Sequence, residues 1–409
     1  MKVQAPQRSS SRLLRILVTL IRNKVRQHPL GPFFLLVVLI QSFYMVYDSF
    51  HPHYVPPPRK AIKPAPSAPL TPFYNSPYTG YSRTFPKWQH EYPCLPLTDT
   101  VGIFKRTPVE TGLLYIKEMK TGSTTLSGVT ARIARNMAVR HHGSNTTITD
   151  PCMARLVHLR ARRLANRDKA KSFLWTVVRE PAARIISKFY HFAVSRAGVQ
   201  ATLSEFKKYL HDNEVYDFGY YFKTLTMQKT LNVYAKKSYP QFLQQIFEDY
   251  NYIGVSERMD ESLVVLQLIL GLETEDILYL PGKVAGSYDL FNGKCVEILP
   301  TQRTPELKEF IYTPEMEDYL EPDVLFYRAA NASLTKTIEA LGTDRVNAAL
   351  QKFKWAQAKA VERCAEKTMF PCSKTGLKQR ENDCLRSDVA CGYRCLDELS
   401  RQLPNMKYP

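Results

Sequence analysis

The spacing of apolar residues changes sharply near residue 120 of this chain. Residues 114–116 form a short β-type run, whereas apolar residues between 126 and 137 recur every three or four positions. The pattern predicts a strand that ends just before Lys120 and a helix that begins near Thr125.

Two later stretches show the same change from strand spacing to helix spacing. Residues 173–178 form a β-type run that ends at Arg179, and Pro181 follows where the first turn of a helix tolerates proline. Residues 250–272 predict a strand, a turn and an apolar helix that is too short to cross a membrane. Because strands alternate with helices, we expect an α/β domain with a central, mostly parallel sheet.

The first strand-to-helix connection has the composition of an anion site. Its sequence, KTGSTT from Lys120 to Thr125, offers a positive charge, a flexible glycine and consecutive hydroxyl groups at a helix N-terminus. Free backbone N–H groups at such a terminus bind phosphate. A simple N-terminal cap is the alternative interpretation. The loop differs from the P-loop of ATPases, in which four residues separate a first glycine from a Gly-Lys pair.

KTGSTT resembles the loop that holds the 5′-phosphosulfate of PAPS (3′-phosphoadenylyl sulfate) in sulfotransferases, usually PK-x-G-[ST]-[ST]-x-L. The matching residues are Lys120, Gly122, Ser123, Thr124 and Leu126, and Met119 replaces the usual proline. The resemblance implies that the residues that bind PAPS here are Lys120, Thr121, Gly122, Ser123, Thr124 and Thr125.

A second motif follows about sixty residues later. The sulfotransferase motif for the 3′-phosphate, Arg-x-Pro-x-x-Arg-x-x-Ser-x-[Tyr/Phe], is matched by Arg179, Pro181, Arg184, Ser187 and Phe189. The resemblance implies that Arg179 and Ser187 bind the 3′-phosphate of PAPS. Two unrelated strand–helix units with chance residues are the alternative.

The resemblance extends over residues 115–342 and includes the blocks IGVSERMDESL and DVLFYRAANASLTKTIEALG. The chain is thereby similar to the Golgi membrane-bound carbohydrate sulfotransferases of the glycan 2-O- and galactose 3-O-type. This resemblance implies a P-loop-like, three-layer α/β domain.

Sulfuryl transfer to a hydroxyl needs a general base beside the acceptor oxygen. In the sulfotransferases that this chain resembles, the base is a histidine about twenty residues before the 3′-phosphate arginine, and His158 has that position. His142 is the runner-up, and packing of His158 beside a basic surface helix is the alternative. We expect Lys120 to stabilise the charge that develops on the leaving group. Further candidates for contact with acceptor or cofactor are Tyr220, Tyr221, Lys223 and Gln228.

The charge pattern at the start of the chain predicts a membrane anchor. Residues 1–28 carry seven Lys and Arg and no acidic residue, and residues 29–47 are uncharged and just long enough to span a bilayer. The positive-inside rule places the tail in the cytosol and the remainder across the membrane. A cleaved signal peptide is the alternative, although no small-x-small cleavage site follows.

Residues 48–92 are rich in proline and predict an extended stem. A catalytic domain, residues 93–355, and a Cys-rich extension, residues 356–409, follow the stem. A tail, one membrane span, a stem and a lumenal domain are the plan of single-pass type II enzymes that modify glycans in the Golgi. We therefore expect a Golgi membrane protein.

All eight cysteines follow the predicted anchor, and five of them lie in the C-terminal extension. An even number of cysteines in a lumenal domain predicts disulfides. The spacing of Cys391 and Cys395 would also suit zinc, but no histidine accompanies them. Two sequons, at Asn145 and Asn331, predict N-glycosylation.

The chain carries a net charge of +18, of which +7 comes from the predicted cytosolic tail. The remaining +11 favours an anionic cofactor, an anionic acceptor or both. We expect no nucleic-acid partner, because the sequence contains no recognisable nucleic-acid module and the domain is predicted to be lumenal.

The sequence thus predicts transfer of a sulfuryl group from PAPS to a carbohydrate hydroxyl, with no metal required. A nucleotide-dependent phosphoryl transferase is one alternative, but it needs a Gly-x-x-x-x-Gly-Lys loop and a metal-holding Asp. A membrane-tethered protein that binds PAP (the desulfated product of PAPS) or glycan without catalysis is the other.

Overall fold

The computed structural model describes residues 80–91, 111–142, 155–157, 160–228, 232–302, 304–385, 389–406 and 408. Within these ranges, no helix combines the length and the apolar character that a membrane crossing requires. The predicted tail and anchor, residues 1–47, lie outside the described residues.

A four-stranded parallel sheet with the order β2-β1-β3-β4 organises the domain. Its strands are β1 (Gly112–Ile116), β2 (Arg155–Val157), β3 (Ser172–Val178) and β4 (Tyr252–Val255). All residues of β1, β3 and β4 are buried, as is usual for parallel strands covered on both faces. Ile116 pairs with Val157 of β2 and with Thr176 of β3, so these strands end at the same edge. The predicted α/β class with a parallel sheet is confirmed.

Ten α-helices are found among the described residues. They are α1 (Ser123–His142), α2 (Pro181–Phe189), α3 (Leu203–Asp217), α4 (Tyr220–Leu225), α5 (Tyr239–Asp249), α6 (Met259–Leu270), α7 (Pro305–Ile311), α8 (Pro314–Leu341), α9 (Thr343–Cys364) and α10 (Tyr393–Gln402). Helix α1 packs on β1, and α6 and α8 pack on β4. Helix α2 continues directly into a π-helix, Tyr190–Arg196. A small antiparallel hairpin is formed by β5 (Tyr288–Phe291) and β6 (Lys294–Glu297).

The last part of the predicted stem belongs to the folded domain. Phe85 is only 1% exposed and packs against the rings of Phe247 and Tyr252. Its N–H donates to the Thr337 hydroxyl at 3.0 Å. Aromatic side chains therefore attach residues 80–91 to the domain in spite of the Pro-rich composition nearby, and the predicted boundary at residue 92 is too late.

The Cys-rich extension is also part of the main core. Its predicted start at residue 356 falls inside α9, so the extension shares a helix with the predicted catalytic domain. Leu396 and Leu399 of α10 join the core cluster around the sheet. At Gly128 of α1 there is no room for a side chain, because an added Cβ would lie 2.5 Å from Cβ of Ala390. The extension therefore packs closely on the helix that follows the first predicted phosphate loop.

Three disulfides hold the extension. Cys364 pairs with Cys395, Cys384 with Cys391, and Cys295 of β6 with Cys372. Six predicted disulfide cysteines are thus confirmed, whereas Cys94 and Cys152 lie outside the described residues. Since Cys391 and Cys395 are both in disulfides, the alternative of a zinc site there is wrong.

The two predicted sequons differ in setting. Asn331 lies on α8, where its side-chain oxygen accepts a hydrogen bond from Arg258 at 3.0 Å, and Ser333 of the same sequon is fully buried. This sequon is therefore part of a packed helix. Asn145 lies outside the described residues.

Candidate functional site

Residues 117–122 join β1 to α1 at the carboxyl edge of the sheet, so the first predicted phosphate loop, residues 120–125, covers the end of this connection and the first residues of α1. Lys120 and Gly122 have positive φ angles, 64° and 77°, so the chain turns sharply before α1 begins at Ser123. The positive φ of Gly122 favours glycine at this position, and the side chain of Met259 lies close to it. The first N–H groups of a helix have no partner four residues earlier within it, and those of α1 lie at this turn.

Two of the loop's hydroxyl groups are used to hold the loop itself. The Thr121 hydroxyl donates to the carbonyl of Glu118 at 3.1 Å, and the Thr125 hydroxyl accepts from the N–H of Gly282 at 3.0 Å. The carbonyl of Thr124 accepts from the N–H of Ala390. The side chains of Thr121 and Thr125 therefore position the loop. If these two residues bind PAPS as expected, they do so through their backbone N–H groups.

The second predicted loop connects β3 to α2. Arg179 follows the last residue of β3, and the Glu180 carboxylate caps α2 by accepting from the N–H groups of Ala182 and Ala183 at 2.9 and 2.6 Å. Ser187 lies further along α2 and is partly exposed. Glu180 therefore already supplies an anion to the N-terminus of α2.

The two loops meet at the sheet edge. Arg179 donates through Nη1 to the backbone carbonyl of Lys120 at 3.0 Å. Nε of Arg179 lies 3.9 Å from the Glu257 carboxylate, which also accepts from the N–H of Glu180. The expectation that the two motifs face one crevice agrees with this contact.

Lys120 is surrounded by other positive charges. Burial and the charges of Arg179, Lys283 and Arg196 together lower the pKa of Lys120 to about 8, whereas Asp289 opposes them. A half-buried cation among like charges is unfavourable in the absence of an anion. The electrostatics of this crevice therefore suit a ligand with more than one negative charge.

A pair of tyrosines holds both loops in place. The hydroxyl of Tyr220 accepts from the N–H of Met119, and the hydroxyl of Tyr221 both accepts from the N–H of Arg179 and donates to its carbonyl. The N–H groups of the two tyrosines donate to the buried carboxylate of Asp323 on α8. Tyr220 and Tyr221, two of the predicted candidates for ligand contact, are thus buried. They connect the backbone of both loops to α8.

Arg184, the second arginine of the motif, lies in the same buried support. It is 0% exposed, and its guanidinium lies over the Tyr220 ring at 4.0 Å. Its guanidinium nitrogens approach the carboxylates of Asp217 at 3.5 Å and Asp323 at 3.9 Å. Arg184 therefore stabilises the base of the site and does not reach the crevice.

Of the two candidate bases, His142 lies within the described residues and His158 does not. His158 lies outside the described residues, but β2, the strand before it, ends at Val157 at the same sheet edge as the first loop. His142 is the last residue of α1, about 28 Å along the helix axis from Ser123 at 1.5 Å per residue. That separation is too long for a base that must act beside the loop.

Several residues of the site were missed in the sequence. Arg196, Lys283 and Asp289 surround Lys120, and His191 accompanies them. Asn292 and Gly293, both with positive φ, form the tight turn of the β5–β6 hairpin that carries Asp289. An Asn-Gly pair between two β-type runs is a hairpin signal, and it was available in the sequence.

Glu118 is a buried carboxyl group directly before the loop, only 2% exposed. Burial raises its pKa from an ordinary value of 4.5 to about 7, although hydrogen bonds from Tyr220 and Thr224 and the charge of Arg184 oppose the rise, and Asp323 adds to it. Folding therefore takes up a proton at Glu118 between these two pH values. The stability that this proton contributes is complete below pH 4.5 and is lost as the pH rises to about 7.

We expect Glu118→Gln to reduce the loss of stability between pH 5 and pH 8, because glutamine stays neutral. The difference from the parent chain is on the order of 2 kcal/mol in the free energy of unfolding. Denaturant unfolding at both pH values measures it, with Glu339→Gln on the exposed face of α8 as the control. An equal pH dependence in Glu118→Gln and the parent would show that Glu118 is ionised in the folded protein.

Among the described residues, no group of three or more His, Cys, Asp and Glu side chains is placed to hold a metal ion. No family model, curated protein or solved structure matches this chain. The case for a function therefore depends on the motifs and on the geometry of the crevice.

Proposed function

We propose that this protein transfers a sulfuryl group from PAPS to a hydroxyl of a carbohydrate, as a carbohydrate sulfotransferase of the glycan 2-O- and galactose 3-O-type. The observation that carries the proposal is the contact between the two loops. The Arg179 guanidinium reaches the Lys120 carbonyl at 3.0 Å, so a cation from each motif lies at one sheet edge. PAPS carries anionic groups at both its 5′ and 3′ positions, which suits two neighbouring cationic loops.

Each of the two motifs binds one anionic end of PAPS. Lys120 and the N–H groups of residues 121–125 hold the 5′-phosphosulfate, and Arg179 and Ser187 hold the 3′-phosphate. The crowding of positive charge around Lys120 supports this assignment, because a multivalent anion relieves it. In this scheme the fold has the P-loop-like, three-layer arrangement of sulfotransferases.

The reaction is an in-line displacement at sulfur. The acceptor oxygen forms a bond to sulfur, the bond from sulfur to the bridging phosphate oxygen breaks, and PAP leaves with the electron pair. Lys120 and the loop N–H groups stabilise the charge that develops on that oxygen. His158 takes the proton of the acceptor hydroxyl.

The end of β2 at the loop edge supports His158 over His142. We expect His158→Ala to bind PAP as the parent does and to lose turnover by about 10²- to 10⁴-fold, the usual contribution of a general base. Single-turnover transfer assays and PAP titration measure the two effects. His142→Ala, at the far end of α1, is the matched control and should leave turnover unchanged. Near-normal turnover in His158→Ala would show that another group is the base.

Thermal unfolding of the full-length protein tests the choice of nucleotide. A ligand that binds the folded state at a hundred times its Kd adds about 2.7 kcal/mol to stability. We expect PAP to raise the Tm and ATP with Mg²⁺ to have little effect. A rise with ATP and Mg²⁺ and none with PAP would favour a phosphoryl transferase instead.

We further propose that the protein is a single-pass type II protein of the Golgi membrane with a lumenal catalytic domain. The basic tail, the uncharged residues 29–47 and the confinement of all eight cysteines to the chain after them support this location. The three disulfides agree with an oxidising compartment.

A further inference from the structure

The π-helix that follows α2 places two side chains on one face. His191 and Arg196 are five residues apart, and in a π-helix residues at this spacing are hydrogen-bonded neighbours. In an α-helix the same two positions would point about 140° apart. Nη2 of Arg196 lies 2.6 Å from Oδ2 of Asp289, and Nε2 of His191 lies 3.8 Å from the same oxygen. The π-helix therefore directs both side chains at Asp289.

The hairpin completes this group. Asp289 lies on β5, and Nζ of Lys283 is 3.1 Å from its Oδ1. The disulfide between Cys295 and Cys372 ties the hairpin to the C-terminal extension. We call His191, Arg196, Lys283 and Asp289 the hairpin cluster.

The hairpin cluster contains more positive than negative charge. Two cations, Arg196 and Lys283, share the single carboxylate of Asp289. His191 is neutral, since burial and the nearby charges of Lys120 and Arg196 together lower its pKa to about 3, although Asp289 opposes them. The cluster adjoins the first loop, because Gly282, the neighbour of Lys283, donates its N–H to the Thr125 hydroxyl at 3.0 Å. The charges of Lys283 and Arg196 also contribute to the lowered pKa of Lys120. This region therefore carries excess positive charge beyond the loop itself.

Two buried polar atoms of the cluster have no protein partner. They are Nδ1 of His191, whose side chain is 6% exposed, and Nε of Arg196. A buried polar atom without a hydrogen bond is unfavourable, and such atoms are uncommon in folded proteins. Nε of Arg196 is the N–H donor of a cation, so this unpaired donor beside excess positive charge indicates a place for an anionic ligand.

We propose that the hairpin cluster binds an acidic group of the carbohydrate acceptor, a carboxylate or a sulfate ester, so that the preferred acceptor is an anionic saccharide. This inference rests on the proposed function. The two anionic ends of PAPS are assigned to the first loop and to Arg179 with Ser187, which leaves the cluster for a third anion. The acceptor hydroxyl must approach the sulfur beside the first loop, and the cluster adjoins that loop through the contact of Gly282 with Thr125.

The test compares acceptors that differ only in charge. The full-length protein, saturated with PAPS, is assayed with an oligosaccharide that contains hexuronic acid, its carboxyl-reduced counterpart and a sulfated form of the latter. We expect the KM of at least one anionic form to be about tenfold or more below that of the neutral form. The lower of the two anionic KM values identifies the acidic group.

Variants connect this preference to the cluster. Lys283→Gln and Arg196→Gln should raise the KM of the anionic acceptor about tenfold or more, as expected for loss of a charge-assisted hydrogen bond. Because both cations also act on Lys120, the Kd of PAP should rise as well, but by a smaller factor than the KM of the anionic acceptor, and the KM of the neutral acceptor should change least. Lys359→Gln, which removes one partly exposed charge from α9, is the control. If Arg196→Gln does not fold, Lys283→Gln, with a side chain 24% exposed, carries the test.

Three results would overturn this inference alone. The first is equal KM values for neutral and anionic acceptors. The second is a loss of PAP affinity in the cluster variants as large as the rise in the KM of the anionic acceptor, and the third is an equally large rise in that KM in Lys359→Gln. The second result would assign the cluster to the donor. A protein that binds no PAP and sulfates no acceptor overturns the proposed function itself, and this inference with it.

Discussion

Replacement of Lys120 by alanine is expected to lower sulfate transfer by about 10²- to 10³-fold, the usual cost of removing a group that stabilises charge in the transition state. The folded protein should at the same time become no less stable. Lys120 is a half-buried cation, and its burial and the charges of Arg179, Lys283 and Arg196 lower its pKa, which means that they disfavour its charge. Removing that charge relieves repulsion, as often happens when a residue is kept for function at the cost of stability.

Both parts of this expectation are measurable. Single-turnover transfer gives the catalytic loss, and thermal unfolding without ligand gives the stability. Lys359→Ala, which removes a partly exposed lysine from α9, is the control for loss of one positive charge. A Lys120→Ala variant with normal turnover would remove Lys120 from the mechanism, and a strongly lowered Tm would indicate a structural role instead.

Replacement of Arg179 by alanine should abolish recognition of the 3′-phosphate. A charge-assisted hydrogen bond contributes about 1.5–3 kcal/mol, so the affinity for PAP should fall by about ten- to a hundredfold. The affinity for AMP, which lacks the 3′-phosphate, should change far less. Titration calorimetry with both nucleotides therefore isolates the contact.

Two further variants sharpen this result. Ser187→Ala removes one hydroxyl and should reduce the affinity for PAP by no more than about tenfold. Arg179→Lys keeps the charge but loses the planar fork, so its affinity should lie between those of the parent and Arg179→Ala. If Arg179→Ala weakened PAP and AMP equally, Arg179 would act through the Lys120 carbonyl that it contacts and not through the 3′-phosphate.

Local patterns predicted the local structure of the site well. The β-type runs and the helical spacing that follow them appear as β1 with α1, β3 with α2, and β4 with α6. Motif spacing also agreed with the meeting of Lys120 and Arg179, because the carboxyl ends of neighbouring parallel strands share one edge. These features depend on residues close in sequence and on a general property of parallel sheets.

Features that depend on distant contacts were not predictable in the same way. The sequence suggests Tyr220 and Tyr221 as candidates for ligand contact. In the structure they bind backbone groups of Met119 and Arg179, about a hundred and about forty residues away, and the carboxylate of Asp323 on α8. The π-helix that brings His191 and Arg196 to Asp289 has no sequence signal of its own. The attachment of residues 80–91 depends on aromatic packing against α5 and β4, which composition does not reveal.

The most direct test of the account is sulfate transfer from radiolabelled PAPS by the full-length protein, offered a panel of neutral and anionic glycans. The account predicts labelled glycan with the parent and none above background with Lys120→Ala. No labelled glycan together with no binding of PAP would contradict the assignment as a sulfotransferase.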